Sequence, residues 1–406
     1  MGRAVALMAA SILGIAMAAV LFLHPNLIPS GVAVTEAQRV PFHASAIDFV
    51  SPYTGWVVVD FATGDYALLR TTDGGLSWSR QLSGPAQGSP HYLKFFDVAG
   101  GVTALVGTRP VLYRTNDGGR TWTSIPALSN RSTALSWSFV DSDHGWLLAD
   151  PQTGSPPRLY RTEDRGWTWK DLGPPAGTAD EAFGARFSFL TTGWLATAGS
   201  GAYAYKTDDF GDTWQRVSLP APHGAEGGGR YFVDVQQTSG RGAIASVVYF
   251  PPYLGRTGSG GRVRQFPPLD VPFYDGSRPN NYIFPTLIDQ VVGAPFSAVQ
   301  RPFAELLSSV DDGATWVPID APGLTGTLGY ADASRWWWID AGAWAGSADG
   351  GVTWTRSTGT GSIEPLPGSL DVLDRDHAWF AGMSTAALET TSDGGKHWRL
   401  VSLAMP

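Results

Sequence analysis

The chain of 406 residues carries a formal net charge of -8, only 28 Lys and Arg, and no cysteine. This acidity leaves no electrostatic footprint for a nucleic-acid backbone, and the lack of thiols removes disulfides, thiolate metal sites, cysteine nucleophiles and a lipid-bearing cysteine. With 50 Gly, 29 Pro and 17 Trp among 43% hydrophobic residues, the composition suits a large core of short strands joined by tight turns.

From the N-terminus, Ala4 to Leu23 is a run of twenty mostly apolar residues behind Arg3, followed by His24-Pro25. It is long enough to span a bilayer as one hydrophobic helix, and its positive start places the N-terminus inside and the remainder outside. Residues 1–23 are read as a signal anchor, or as a cleaved signal peptide if the small residues around Ala16-Met17-Ala18 are processed. Residues 24–44, with Pro25, Pro29, Gly31 and Pro41, read as a linker. The body, 45–406, is then extracytoplasmic, held at the plasma membrane or secreted after cleavage.

Units of the body open on an apolar strand, a polar hairpin and a second strand beginning Gly/Ala-Trp: Phe49–Trp56, Phe139–Trp146, Phe189–Trp194 and Val372–Trp379, with weaker forms at Phe95–Val102 and Tyr330–Trp337. A second motif follows, Ser/Thr-x-Asp-x-Gly-x-x-Trp. It returns as Asp73 with Trp78, Asp117 with Trp122, Asp164 with Trp169, Asp209 with Trp214, Asp311 with Trp316, Asp349 with Trp354 and Asp393 with Trp398. The tryptophans lie 44, 47, 45, 102, 38 and 44 residues apart, and the step of 102 hides one copy. There Arg256-Thr257-Gly258-Ser259-Gly260-Gly261-Arg262 keeps the frame without Asp or Trp. Counting it favours eight units, with seven as the alternative. A period of about 45 residues with four short strands each predicts an all-β fold, a single β-propeller of four-stranded antiparallel blades.

The motif's residue types have a local logic. A carboxylate two residues after Ser/Thr accepts hydrogen bonds from its own turn, Gly supplies a positive φ, and the hydroxyl closes the loop. The Trp re-enters a strand and buries its ring against the neighbouring sheet. The seven Asp residues are therefore expected to be structural. The His144 and His377 hairpins resemble acid/base or metal clusters, but other units carry Ser, Pro or Thr at the same offsets, so they read as solvated turns.

The repeat resembles the Asp-box (BNR) repeat, over nearly all of the chain from about residue 45 onward. The pairing of apolar-Asp-x-x-x-Gly-Trp with Arg-Thr-x-Asp-Gly-Gly-x-Thr-Trp is more similar to the photosystem II assembly-factor group of propellers than to the sialidases. That resemblance implies a non-catalytic scaffold holding a client protein at a membrane, through an arginine-rich face. Here Arg70, Arg114, Arg161 and Arg256 share one repeat-equivalent position, which is expected to disperse them around the ring, one per blade.

The least regular stretch, Pro220 to Phe296, sets Tyr249, Phe250, Tyr253, Phe273, Tyr274 and Tyr282 among Pro- and Gly-rich loops, and Trp336-Trp337-Trp338 forms a second aromatic cluster. Loops on a rigid ring are where binding concentrates, and alternation should bury Trp337 while pointing Trp336 and Trp338 the other way. These rings, Trp337 excepted, are the candidate binding residues. No cofactor or metal is called for. The function expected is a cell-envelope binding or assembly scaffold for a protein or glycan partner at a ring face or channel mouth. The alternative is a sialidase-like glycoside hydrolase, which needs three converging arginines; Arg186, Arg230, Arg301 and Arg335 are those to test.

Overall fold

A computed structural model describes residues 42–403 except 62, 86–91, 106–110, 127, 129–131, 152–154, 176–180, 252, 257–261, 266–302, 321–326, 333, 341–342, 358–367 and 383–386. The chain divides into Met1–Val40 and Pro41–Pro406. The expected N-terminal helix and anchor lie outside the described residues. The last three residues read as linker already belong to the first strand, Phe42–Phe49.

The described body is all β, in seven four-stranded antiparallel units. The first blade comprises Phe42–Phe49, Gly55–Phe61, Asp65–Thr71 and Ser79–Pro85. The second spans Tyr92–Pro126, the third Thr133–Gly173 and the fourth Glu181–Ser218. The fifth comprises Arg230–Ser239, Gly242–Phe250, Phe303–Ser309 and Val317–Ile319, the sixth spans Thr327–Ser357 and the seventh Gly368–Ser402. Within each, the second strand is a continuous apolar run such as Trp56-Val57-Val58-Val59, buried because sheets cover both of its faces. The fourth strand is exposed and outermost, while first strands of neighbouring blades touch across the ring interior.

Seven is the lower of the two counts open to the sequence. Of the expected eighth unit, Arg256 and Arg262 are described, and they end and begin two strands that pair with each other, Tyr253–Arg256 with Arg262–Gln265; the residues between them lie outside the described ones. This pair is inserted between the second and third strands of the fifth blade, which pair directly with each other. Among the described residues the insertion forms no further four-stranded blade, and the strands on either side of it form one ladder.

Successive blades are joined mostly by side chains. Trp56 stacks on Phe95 of the next blade, Trp146 on Phe187, and Trp379 of the last blade on Phe49 of the first, at 3.4–3.8 Å between ring centroids. The first strand of each blade is an edge whose N–H groups need partners, and the preceding blade supplies them. Asp371 accepts from the Phe49 N–H at 2.7 Å, Asp48 from Phe95 at 2.6 Å, Tyr92 from Phe139 at 2.9 Å and Ser138 from Phe187 at 3.0 Å. One joint differs: Gly193–Gly199 pairs through Thr197–Gly199 with Tyr231–Val233, fusing blades four and five into one sheet. The repeat-equivalent aromatic in blade four is Phe187, facing Gly193, rather than Phe189, which sits in the turn.

Candidate functional site

The hairpin between the first and second strands and the Asp-box turn between the third and fourth lie at the same end of every blade, so together they make one ring face. In all seven boxes the Ser/Thr hydroxyl donates to the Asp carboxylate (2.8–3.0 Å) and accepts the N–H of the Gly two residues after that Asp (2.8–3.0 Å). The residue before Trp donates its N–H to the same carboxylate. In six boxes its hydroxyl donates to the other oxygen at 2.5–2.6 Å, and in the seventh the His397 ring occupies that place. Hydrogen bonds from that hydroxyl and then that amide hold Asp73, Asp117, Asp311 and Asp349 down to about 2. The box acids serve their own main chain.

A further bond ties the two turns together. The residue after the box Asp donates its N–H to a carbonyl of the first hairpin in every blade, at 2.8–3.1 Å, from Gly74 to Tyr53 through Gly394 to Asp376. That residue has positive φ throughout, and in boxes three to five it is Arg165, Phe210 or Asp312. The His144 and His377 hairpins are Asx turns in which Asp141 and Asp374 accept two backbone N–H groups and the imidazole Nδ1. Among the described residues no group of three or more His, Cys, Asp or Glu is disposed to hold a metal.

Arg70, Arg114 and Arg161 fall one per blade, as expected, but on one arc of the ring. Arg70, Arg114, Arg161 and Lys206 occupy the position before the box Ser/Thr in four consecutive blades, where blades five to seven have Ser308, Gly346 and Thr390; Arg256 is on the inserted hairpin. Each of the four reaches the next blade: Arg70 the Val98 carbonyl (3.5 Å), Arg114 the Arg165 carbonyl (3.0 Å), Arg161 the Phe210 carbonyl (3.2 Å) and Lys206 the Asp312 carboxylate (2.6 Å). Arg114, Arg161 and Lys206 are buried. Burial lowers the Arg114 pKa, and for Lys206 it is outweighed by Asp312 and Asp208, which raise it. These cations are inter-blade staples, and three of the four are covered rather than displayed.

The aromatic candidates divide in two. Tyr249, Phe250, Trp336 and Trp338 are buried, so none presents a face for stacking. Trp336 and Trp338 pack with Ile319 and Leu306 of the fifth blade and Trp337 with Leu370 and Phe380 of the seventh, because neighbouring blades cover both faces of the sheet. Phe273, Tyr274 and Tyr282 lie outside the described residues, and Tyr253 is placed only as the start of the inserted hairpin. Arg186 is buried in a bidentate pair with Asp234 (3.0 and 2.6 Å), Arg230 lies over Phe232, and Arg335 closes a hairpin with Ala331; Arg301 is outside the described residues. These contacts of the three described arginines are to different groups. Sequence reasoning missed the staples Asp48 and Asp371, although an acid just before the strand's last apolar residue, in Ile47-Asp48-Phe49 and Leu370-Asp371-Val372, marks both.

Residues 34–133 match the family described as photosynthesis system II assembly factor YCF48. No curated protein matches the sequence. Among solved structures the chain is similar to YCF48 bound to D1 peptide, with TM-score 0.52 and 15% identity over 87% of this chain and 92% of that one. It is also similar to YCF48 from Cyanidioschyzon merolae (TM-score 0.49, 14% identity, 85% and 94% covered) and to a Niastella koreensis GH74 enzyme (0.30, 14%, 88% and 71%). The first of these shows a shared fold; the other two carry no weight.

Proposed function

Starting from an Asp-box (BNR) β-propeller of the YCF48-like kind, we propose that the chain is a non-catalytic scaffold that binds a protein partner. The observation that carries this reading is that the ionised groups a hydrolase would aim at substrate are engaged by the protein itself: box acids on their own turns, cations on the next blade, Arg186 on Asp234. A likeness in fold to a protein solved with a bound peptide supports the same reading. The apolar run Ala4–Leu23 supports export, with the ring outside the plasma membrane, tethered or released.

Two measurements test it. The full chain is expected to give no turnover on fluorogenic sialosides and β-glucans; turnover by the purified chain would overturn the scaffold reading. Photo-crosslinkers placed on the turn face in living cells are expected to yield a discrete protein adduct. A reporter enzyme that works only outside the membrane, fused after residue 406, is expected to be active; an inactive fusion sinks the export reading alone.

A further inference from the structure

The exposed large apolar side chains among the described residues are gathered at one end of the ring. Tyr53, Val98 and Phe189 lie in the first hairpins, Leu76, Trp167, Val310 and Val352 in the boxes, and Val317 and Leu400 within two residues of a box Trp. Clustered exposed apolar groups mark interaction surfaces. On blades three and four they coincide with a fixed pattern of charge. Arg161, with a side chain 10% exposed, lies 2.9 Å from Glu163 and 3.4 Å from Asp212, whose side chains are 60% and 47% exposed. Lys206, 6% exposed, holds Asp208 (62% exposed) at 2.9 Å and Asp312 at 2.6 Å. The cations are beneath and the carboxylates outside, each pair of acids held by a single positive charge, so the arc shows solvent more negative charge than positive. Arg165 and Lys170, beside Asp143 and Asp212, are exposed cations nearby, as is Arg241, whose carbonyl accepts the Asp312 N–H; the acids still outnumber them. Trp167 (59% exposed) and Phe189 (41%) stand on the same two blades.

We propose that this arc of blades three and four is a docking surface for a basic segment of a partner protein, with Trp167 as its central contact. A Lys or Arg of the partner meets Glu163, Asp208 or Asp212 and can lie over the Trp167 ring, while an apolar neighbour covers Trp167 and Phe189. The buried cations pre-organise the acids, so little side-chain entropy remains to be lost on binding. The inference rests on the scaffold reading and gives its partner a charge opposite to that of a client held by an arginine-rich face.

The test uses the full chain and two labelled probes, a peptide alternating Lys or Arg with Leu and one of equal length alternating Glu with Leu. The basic peptide is expected to bind and the acidic one not, with affinity falling about tenfold as salt rises from about 0.02 to about 0.3 M. Trp167→Ala, and Glu163→Gln with Asp212→Asn, should each weaken binding about five- to twentyfold, while Leu76→Ser on the first blade leaves it unchanged. Equal binding of both peptides, or indifference to these variants in chains with unaltered thermal melts, overturns the proposal. Cellular crosslinking to a partner that survives both variants leaves the scaffold standing and removes this surface from it.

Discussion

At the residue scale, the box is an eight-residue structure that completes its own hydrogen bonding. The second box glycine has two duties, a positive φ and a close approach. A Cβ on Gly166 would meet Leu112 of the preceding blade at 2.6 Å, on Gly75 Val401 at 2.7 Å, and on Gly313 Trp194 at 2.6 Å. Gly166→Ala is therefore expected to cost about 2–3 kcal/mol, whereas Gly64→Ala, at φ +85 with open space around it, should cost about 1 kcal/mol; equal costs in denaturant titrations would show that packing is irrelevant. The box acids also set an acid limit. Asp73, Asp117, Asp311 and Asp349 titrate at about 2 when folded, below the ordinary 3.8. The unfolded chain thus takes up their protons first. The contribution of these four acids should be level above about pH 4 and fall as pH drops towards about 2. Melting temperatures followed over that range check this, and Asp117→Asn should flatten the dependence.

At the scale of the element, a blade is stabilised by its neighbours as much as by its own ladder. The Arg186–Asp234 pair makes the point between the fourth and fifth blades: burial pushes the Asp234 carboxyl up to about 6 against the pull of Arg186. Removing one partner leaves a buried charge alone, so Asp234→Ala is expected to destabilise by about 3–5 kcal/mol, and Arg186→Leu combined with Asp234→Val by much less. A double variant as costly as the sum of the singles would mean the two groups act independently. The same logic explains why Trp336, Trp337 and Trp338 are all buried. Alternation sends successive side chains to opposite faces of a strand, and in a ring of stacked sheets both faces are interior.

At the scale of the whole molecule, the ring closes without a shared strand. All four strands of the first blade come from the N-terminal side and all four of the last from the C-terminal side. The joint between them is the Phe49–Trp379 stack, the Asp371 bond to the Phe49 N–H, and Val401 against Gly75. The fused joint of blades four and five adds main-chain pairing. Opening should therefore begin at the closure. Phe49→Ala with Asp371→Ala is expected to speed amide exchange in Phe42–Phe49 and Gly368–Val372 well before Glu181–Phe187 and Arg230–Ser239 respond. Simultaneous acceleration in all four strands would mean that the ring opens as one body.

Much of this architecture can be read in the sequence because it is local. A Ser/Thr, an Asp, a Gly and a Trp within eight residues satisfy one another, and their return at about 45 residues implies a ring of blades. The sequence alone determined the all-β propeller and marked the turns whose hydrogen bonds Asp73 through Asp393 accept. The tertiary structure decided what depends on neighbours: seven blades among the described residues, with the described strands around the Arg256 copy paired to each other; Phe187 in place of Phe189 as the packed ring; and the cation row as staples beneath acids. A repeat states what each unit asks of the next, but which side chains remain uncovered is settled only when the sheets are stacked.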